Sequence, residues 1–227
     1  MATYAIPDLH GRHDLLCAAL DRIVGRPGAP GLVVTLGDYV DRGPDSRRVV
    51  ERVMRPELPA GWRLIALRGN HEDMMLRTCR EPLDPAWWLR NGGGATLVSY
   101  GQRWGEAPDL GVVPQAHLDW MAGLPLVHVD RHRIFVHGGV DPDLPLEEQD
   151  PEVLAWKRYK DEDEGGHGAR HVVHGHQPIE DGPLLKRGRT DLDTLAWATG
   201  RLVIGVFDDD APGGPVDLVE IRGAPHG

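Results

Sequence analysis

The sequence predicts a mixed α/β protein, a layered sheet with helices on its faces, from three observations. Apolar runs alternate with helix-period stretches through the first eighty residues. A second set of strand-like runs fills the chain beyond residue 124. Five of the apolar runs deliver polar, metal-type residues at their carboxyl ends. In order, TYAIPD (3–8) reads as a strand ending at Asp8. Residues 12–24 form an amphipathic helix with Leu15, Leu16, Ala19, Leu20 and Ile23 on one face. GLVVTLGD (31–38) and WRLIALRGN (62–70) are strands, followed by helices at 45–55 and 71–79. Such β-α repetition favours a sheet covered by helices. Residues 82–125, with Trp87, Trp88, Trp104 and Trp120, read as a helical insertion near the site, with loops at 91–94 and 105–114. The tryptophans are read as its core, with a stacking surface for a base as the alternative. Strands are expected at 124–129, 132–139, 171–176, 202–207 and 216–221, leaning toward a second, more antiparallel sheet. The glycine-rich stretch 159–169 is expected as a mobile loop, and 223–227 as a frayed end.

The 227 residues fit one domain, 1–227, carrying that insertion. Composition is ordinary for a globular chain, at 41% hydrophobic and 26% charged. Cys17 and Cys79 do not make a disulfide framework, and neither a signal peptide nor a membrane-length apolar run is seen. A cytoplasmic location and no membrane association are the expectation. The net charge of −10 argues against a general nucleic-acid surface. An anionic substrate stays open, because bound dications invert the local field.

The informative residues are Asp8 and His10, Asp38 and Asp41, Asn70 and His71, His137, and His174 with His176. They cluster at strand ends, the edge where α/β sheets bind ligands. Residues two apart in an extended chain point the same way, so Asp8 and His10 could grip one ion. Oxygen and imidazole donors without cysteine suit manganese, iron or zinc better than calcium or magnesium. Asp38 is the natural bridge between two ions, which together would clamp a phosphoryl oxygen and generate hydroxide.

PDLHG (7–11), GDYVDRG (37–43), GNHE (69–72), HGG (137–139) and HGHQP (174–178) resemble, in order, the motifs of the phosphoprotein-phosphatase-type, calcineurin-like metallophosphoesterases. His71–Met75 and the Trp87–Gly94 stretch bring the resemblance nearest to the small bacterial and phage members, the lambda-type serine/threonine phosphatases and the diadenosine tetraphosphatases. The resemblance implies a four-layer α/β/β/α sandwich and two divalent metal ions, manganese first, with iron or zinc as alternatives. Asp8 and His10 would hold the first metal, Asp38 would bridge, and Asn70, His137 and His176 would hold the second. His71, oriented by Asp41, would be the general acid, and Arg42 and Arg158 would bind phosphate. A metal-bridging hydroxide would attack in line. The expected substrate is phosphoserine or phosphothreonine in proteins, or a small phosphoester. The alternative is a symmetrical bis(5'-nucleosyl)-tetraphosphatase acting on a dinucleoside polyphosphate. A binding module without catalysis is the remaining rival, and it has no need of an acid such as His71. Two departures stand out: Pro7 replaces a usual glycine, and His174 stands where relatives carry Arg or Phe. His174 is assigned to phosphate binding, with a neighbour packed by the sheet as the other reading.

Overall fold

A computed structural model describes residues 1–28, 30–81 and 84–226, so residues 82 and 83 at the start of the expected insertion, and 227 at the expected frayed end, lie outside the described residues. The chain begins with β1 (Ala2–Ile6), α1 (His13–Val24), β2 (Leu32–Thr35), α2 (Ser46–Met54), β3 (Arg63–Ala66) and α3 (Asn70–Arg80). Helix α1 forms where the apolar period is 3.6, and it buries Leu15, Leu16, Ala19, Leu20 and Ile23, the face expected. Then come α4 (Ala86–Trp88), a wide π turn at Leu89–Gly93, α5 (Gly94–Ser99) and α6 (Gln115–Ala122). The stretch 91–94, expected as a loop, is therefore a kinked helical turn. Gly92 takes φ 108°, a conformation a Cβ would oppose, and its carbonyl accepts from the Arg42 N–H at 3.2 Å.

The second half holds β4 (Val127–Val129), β5 (Arg133–Val136), α7 (Pro151–Trp156), β6 (His171–His174), β7 (Leu184–Leu185), β8 (Arg189–Asp191), α8 (Ala196–Thr199), β9 (Arg201–Asp208) and β10 (Asp217–Arg222). Helix α7 starts on an Asp-Pro pair, with the Asp150 carboxylate accepting from the Glu152 N–H at 2.8 Å. Its six residues were too few to show a period in sequence.

Two five-stranded sheets result, ordered β10-β9-β1-β2-β3 and β4-β5-β6-β8-β7. The expectation of a more antiparallel second sheet is corrected. β5, β6 and β8 are parallel, and only the outer pairs β4–β5 and β7–β8 are antiparallel. The 202–207 and 216–221 runs join the first sheet instead, as antiparallel neighbours on the free side of β1. Pro7 follows the last paired residue of β1, so its missing N–H breaks no ladder bond.

Alternation along the strands separates three apolar layers. Tyr4, Ile6, Val33 and Ile204 pack with residues of α1, α2, α3, α5 and α6. Ala5, Val34 and Phe207 face Phe135, Val173 and Leu192 of the second sheet. Ile134, Val136 and Val172 look outward against Leu154 of α7. Helices, sheet, sheet, helix: this is the four-layer order the resemblance implies, with a thin fourth layer. Among the described residues no helix is long and apolar enough to cross a membrane.

The contact between sheets centres on Phe135 and Phe207, both fully buried, with ring centroids 5.7 Å apart and planes at 90°. Phe135→Ala should therefore lower the unfolding free energy by about 3–5 kcal/mol. Urea denaturation checks this, and a loss under about 1 kcal/mol would mean the sheets do not rely on that contact.

Candidate active site

The carboxyl ends of β1, β2, β3 and β6 open on one cavity of about 250 Å³, and His137, just after β5, lies against Asp38 of that cavity. Strand alternation does not aim the side chains into it, because β1 ends at Ile6 and β6 at His174. Left-handed turns do. His10 (φ 41°), Asp38 (53°), Asp41 (74°), Arg42 (67°) and His176 (66°) all have positive φ without being glycine. Each such residue costs on the order of 1–3 kcal/mol and persists only where the surroundings fix it. Here the loops after β1 and β2 fix one another. The Leu9 and His10 N–H groups donate to the Asp38 carbonyl at 3.0 and 2.8 Å, and the Gly11 N–H donates to Tyr39 O at 2.9 Å. Gly11 has φ 69°, and a Cβ there would lie 2.7 Å from the Gly43 carbonyl, so only glycine lets the loops meet.

At the centre stands the Asp38 carboxylate. His137 Nε2 lies 3.3 Å from Oδ1, and His10 Nε2 lies 3.4 Å from Oδ2. In both rings Nδ1–H donates to a backbone carbonyl, Leu36 O at 3.0 Å and Val40 O at 2.8 Å. A neutral imidazole carries one N–H, so each Nε2 has only a lone pair; that of His137 meets a carboxylate oxygen directly, and that of His10 is shared between Asp38 and an Arg42 N–H. His137 Nε2 also meets Asn70 Oδ1 at 2.8 Å. Lone pairs facing lone pairs repel, and a cation on either side of Asp38 would remove the repulsion. The donor set thus fits a bridged pair of ions. Asp38, His137 and His176 have donor atoms close enough to share one ion, and His10, Asp38 and His71 have donor atoms close enough to share another. Asp8 lines the same cavity and accepts the His176 N–H at 3.1 Å.

The electrostatics agree. Burial, then the charge of Asp193, pushes the Asp8 carboxyl well up, and burial, then Asp8, does the same to Asp38. Burial holds His10 and His137 well below the ordinary imidazole value and brings His176 down to about 4. A pocket of reluctant carboxylates and neutral imidazoles is short of positive charge. Arg42 supplies some: its guanidinium donates to His10 Nε2 and, at 3.0 Å, to His71 Nε2.

His71 Nε2 lies 3.9 Å from Asp38 Oδ2, so distance alone would admit it as a ligand. Its other nitrogen, however, donates to Asp41 Oδ2 at 2.6 Å, deep in the protein. Arg42 and Arg158 both line the cavity. His174 does not, and the phosphate-binding assignment is corrected. It is fully buried, Nδ1–H donates to Gly175 O at 3.0 Å, and Nε2 accepts from Arg189 at 3.3 Å. The chain turns after His174, with His176 at φ 66°, so only His176 of the two reaches the cavity.

Several site residues escaped the sequence reading. Glu72, the last letter of GNHE, accepts from the Asp38 and Gly69 N–H groups with one oxygen, both at 2.9 Å, and from Tyr39 at 2.8 Å with the other. It ties the Asp38 loop to the start of α3. Burial raises its carboxyl to about 7, while the backbone N–H groups pull it back. Asp193 lines the cavity, its carboxyl raised to about 6 by burial. Asp191 and Asp193 repeat the spacing of Asp8 and His10, a signal that was there to be used. Trp156 and Asn91 line the cavity, and Trp88 and Thr96 bond Asp41.

A family model described as calcineurin-like phosphoesterase matches residues 1–204. Among curated proteins the chain is similar to the symmetrical bis(5'-nucleosyl)-tetraphosphatase of Escherichia coli O1:K1, 33% identical over 149 residues, covering 65% of this chain and 46% of that protein. The Citrobacter koseri protein of the same name is 34% identical over the same shares. The chain therefore spans about half the length of these relatives. Among solved structures, one assigned as a diadenosine tetraphosphatase matches with a TM-score of 0.67 at 21% identity, over 98% of this chain and 94% of that one. A Saccharomyces cerevisiae serine/threonine phosphatase matches at 0.63 and 15%, over 100% and 81%. At these identities the two structures speak for the fold alone.

Glu72→Gln places an amide NH2 against backbone donors that need an acceptor. The variant should lose about 2 kcal/mol of stability by thermal unfolding in chelator, and should retain less metal after dialysis. Full metal retention would show that Asp38 keeps its place without Glu72.

Proposed function

The chain belongs to the calcineurin-like phosphoesterase family, and from that membership and its site geometry we propose that it hydrolyses phosphate–oxygen bonds with two divalent metal ions. The carrying observation is the Asp38 carboxylate set between the Nε2 atoms of His10 and His137. Asp8 and His10 would hold one ion, Asp38 would be shared between the two, and Asn70, His137 and His176 would hold the other; manganese is the first candidate, with iron and zinc as alternatives. When bound, such a pair polarises phosphoryl oxygens and makes hydroxide available near neutral pH.

The chain's own residues do the rest. Arg42 and Arg158 gather the phosphate oxygens from the cavity wall. His71 delivers a proton from Nε2 to the departing oxygen, while Asp41 holds the other nitrogen and favours the protonated ring. Burial holds the His71 pKa below the ordinary imidazole value, and the bond to Asp41 offsets part of that drop.

For substrate, the dinucleoside polyphosphates named for the curated relatives are the reading best supported. Trp156 on the cavity wall stacks on the half-exposed Trp87, ring centroids 5.8 Å apart at 21°. An aromatic wall beside two arginines suits a base joined to a phosphate chain. Phosphoserine and phosphothreonine proteins, the first expectation from sequence, are the second reading, favoured by the Trp87–Gly94 motif.

Side-by-side turnover of diadenosine tetraphosphate and a phosphothreonine peptide, with manganese, should favour the dinucleotide by at least tenfold in kcat/KM. Preference for the peptide would reverse the assignment. His71→Ala should cut kcat by roughly 10²–10⁴ with metal content unchanged. Loss of one ion per chain in that variant would make His71 a ligand.

A further inference from the structure

Asp41 is fully buried at φ 74°, and beyond His71 its carboxylate and N–H make five polar contacts, all with Trp88, Thr96 and Ser46. Trp88 Nε1–H donates to both carboxylate oxygens, at 2.9 and 3.0 Å. The Thr96 hydroxyl donates to Oδ1 at 2.8 Å and accepts the Asp41 backbone N–H, also at 2.8 Å. Ser46 Oγ accepts the same N–H at 3.1 Å. Oδ2 then receives His71 Nδ1–H at 2.6 Å.

We propose that Trp88 and Thr96, both supplied by the 84–125 segment, are positioning residues that set the Asp41 carboxylate and through it the direction in which His71 presents its proton. An ionised carboxylate has about four acceptor sites. Trp88 and Thr96 take those that would otherwise let the group rotate, which leaves Oδ2 aimed at His71. Thr96 also closes a ring on Asp41, bonding its backbone and its side chain at once, and so fixes a left-handed turn that would otherwise relax. The clamp is itself built in. Trp88 is fully buried, Gly93 lies so close that a Cβ would come within 2.5 Å of the indole, and Gly92 binds the backbone of Arg42. The tryptophan and the glycine run thus form one device, with the indole aimed at Asp41 and the glycines letting it approach.

This inference rests on His71 as the proton donor, and the test separates the two claims. Trp88→Phe keeps a large ring and removes the N–H. Thr96→Val keeps the shape and removes the hydroxyl, and Thr96→Ser restores it. Each is assayed on aryl phosphates of graded leaving-group acidity and on an alkyl phosphate, with metal content measured. A mispositioned acid harms poor leaving groups most. Both variants should lose about 10- to 100-fold in kcat on the alkyl ester and under about threefold on 4-nitrophenyl phosphate, with Thr96→Ser near wild type. The metal-free proteins give a reading independent of turnover: the downfield proton resonance of the His71–Asp41 bond should move upfield in Thr96→Val and return in Thr96→Ser. Equal losses across all leaving groups, or an unmoved resonance, would overturn the proposal. A His71→Asn enzyme with the wild-type leaving-group trend would instead unseat His71 as the acid. Should Trp88→Phe fail to fold, Thr96→Val and its serine partner decide alone.

Discussion

The Asp38 carboxylate lies between two imidazole nitrogens that turn their lone pairs toward it. No such group would stay there unaided, and much of the molecule can be understood as the means of keeping it in place. Glu72 grips the backbone on one side of the turn, and the loop after β1 pins the Asp38 carbonyl. Gly69 carries no Cβ because one would collide with the Asp38 side chain. The two sheets must also stack face to face, since His10 comes from the first and His137 from the second. The inter-sheet core of Phe135, Val173 and Phe207 is thus a condition for the site as well as for stability. Local strain collects where the donors converge, as expected when function requires an arrangement that local preference opposes.

The opening βα units were legible because burial follows a simple period there, with Leu15, Leu16, Ala19, Leu20 and Ile23 recurring on one helix face. β8 was not, since Arg189, Thr190 and Asp191 are all buried although none is apolar. Tertiary partners make that possible: Arg189 lies 4.7 Å from the Tyr159 ring centroid and donates to Asp163 O. The donors were legible as a set because strand ends and motifs mark them. Their convergence, though, had been credited to strand alternation, and the structure shows turns doing that work. His174 was assigned from its place in the motif, and the structure favours the other reading, a neighbour packed within the sheet. Trp88 and Thr96 could not have been picked out from spacing, because their partner Asp41 lies 47 and 55 residues away.

The family match stops at residue 204, inside β9, yet the chain beyond it is not an appendage. β10 pairs with β9 over six positions, from Asp217↔Val206 to Arg222↔Arg201, and Val219 and Ile221 join the core under α1. The first sheet is finished by a segment outside the match, while every candidate metal donor, from Asp8 to His176, lies within it.

Trp88 fills the hydrophobic interior and also ends in a donor to Asp41. That double duty narrows the paths open to mutation. Elsewhere in the interior a bulky apolar residue can be exchanged for another of similar volume at modest cost. At this position a replacement of suitable size but without an N–H would preserve folding while dulling catalysis. Attempts to make the protein hardier by redesigning its interior would do well to leave this indole alone.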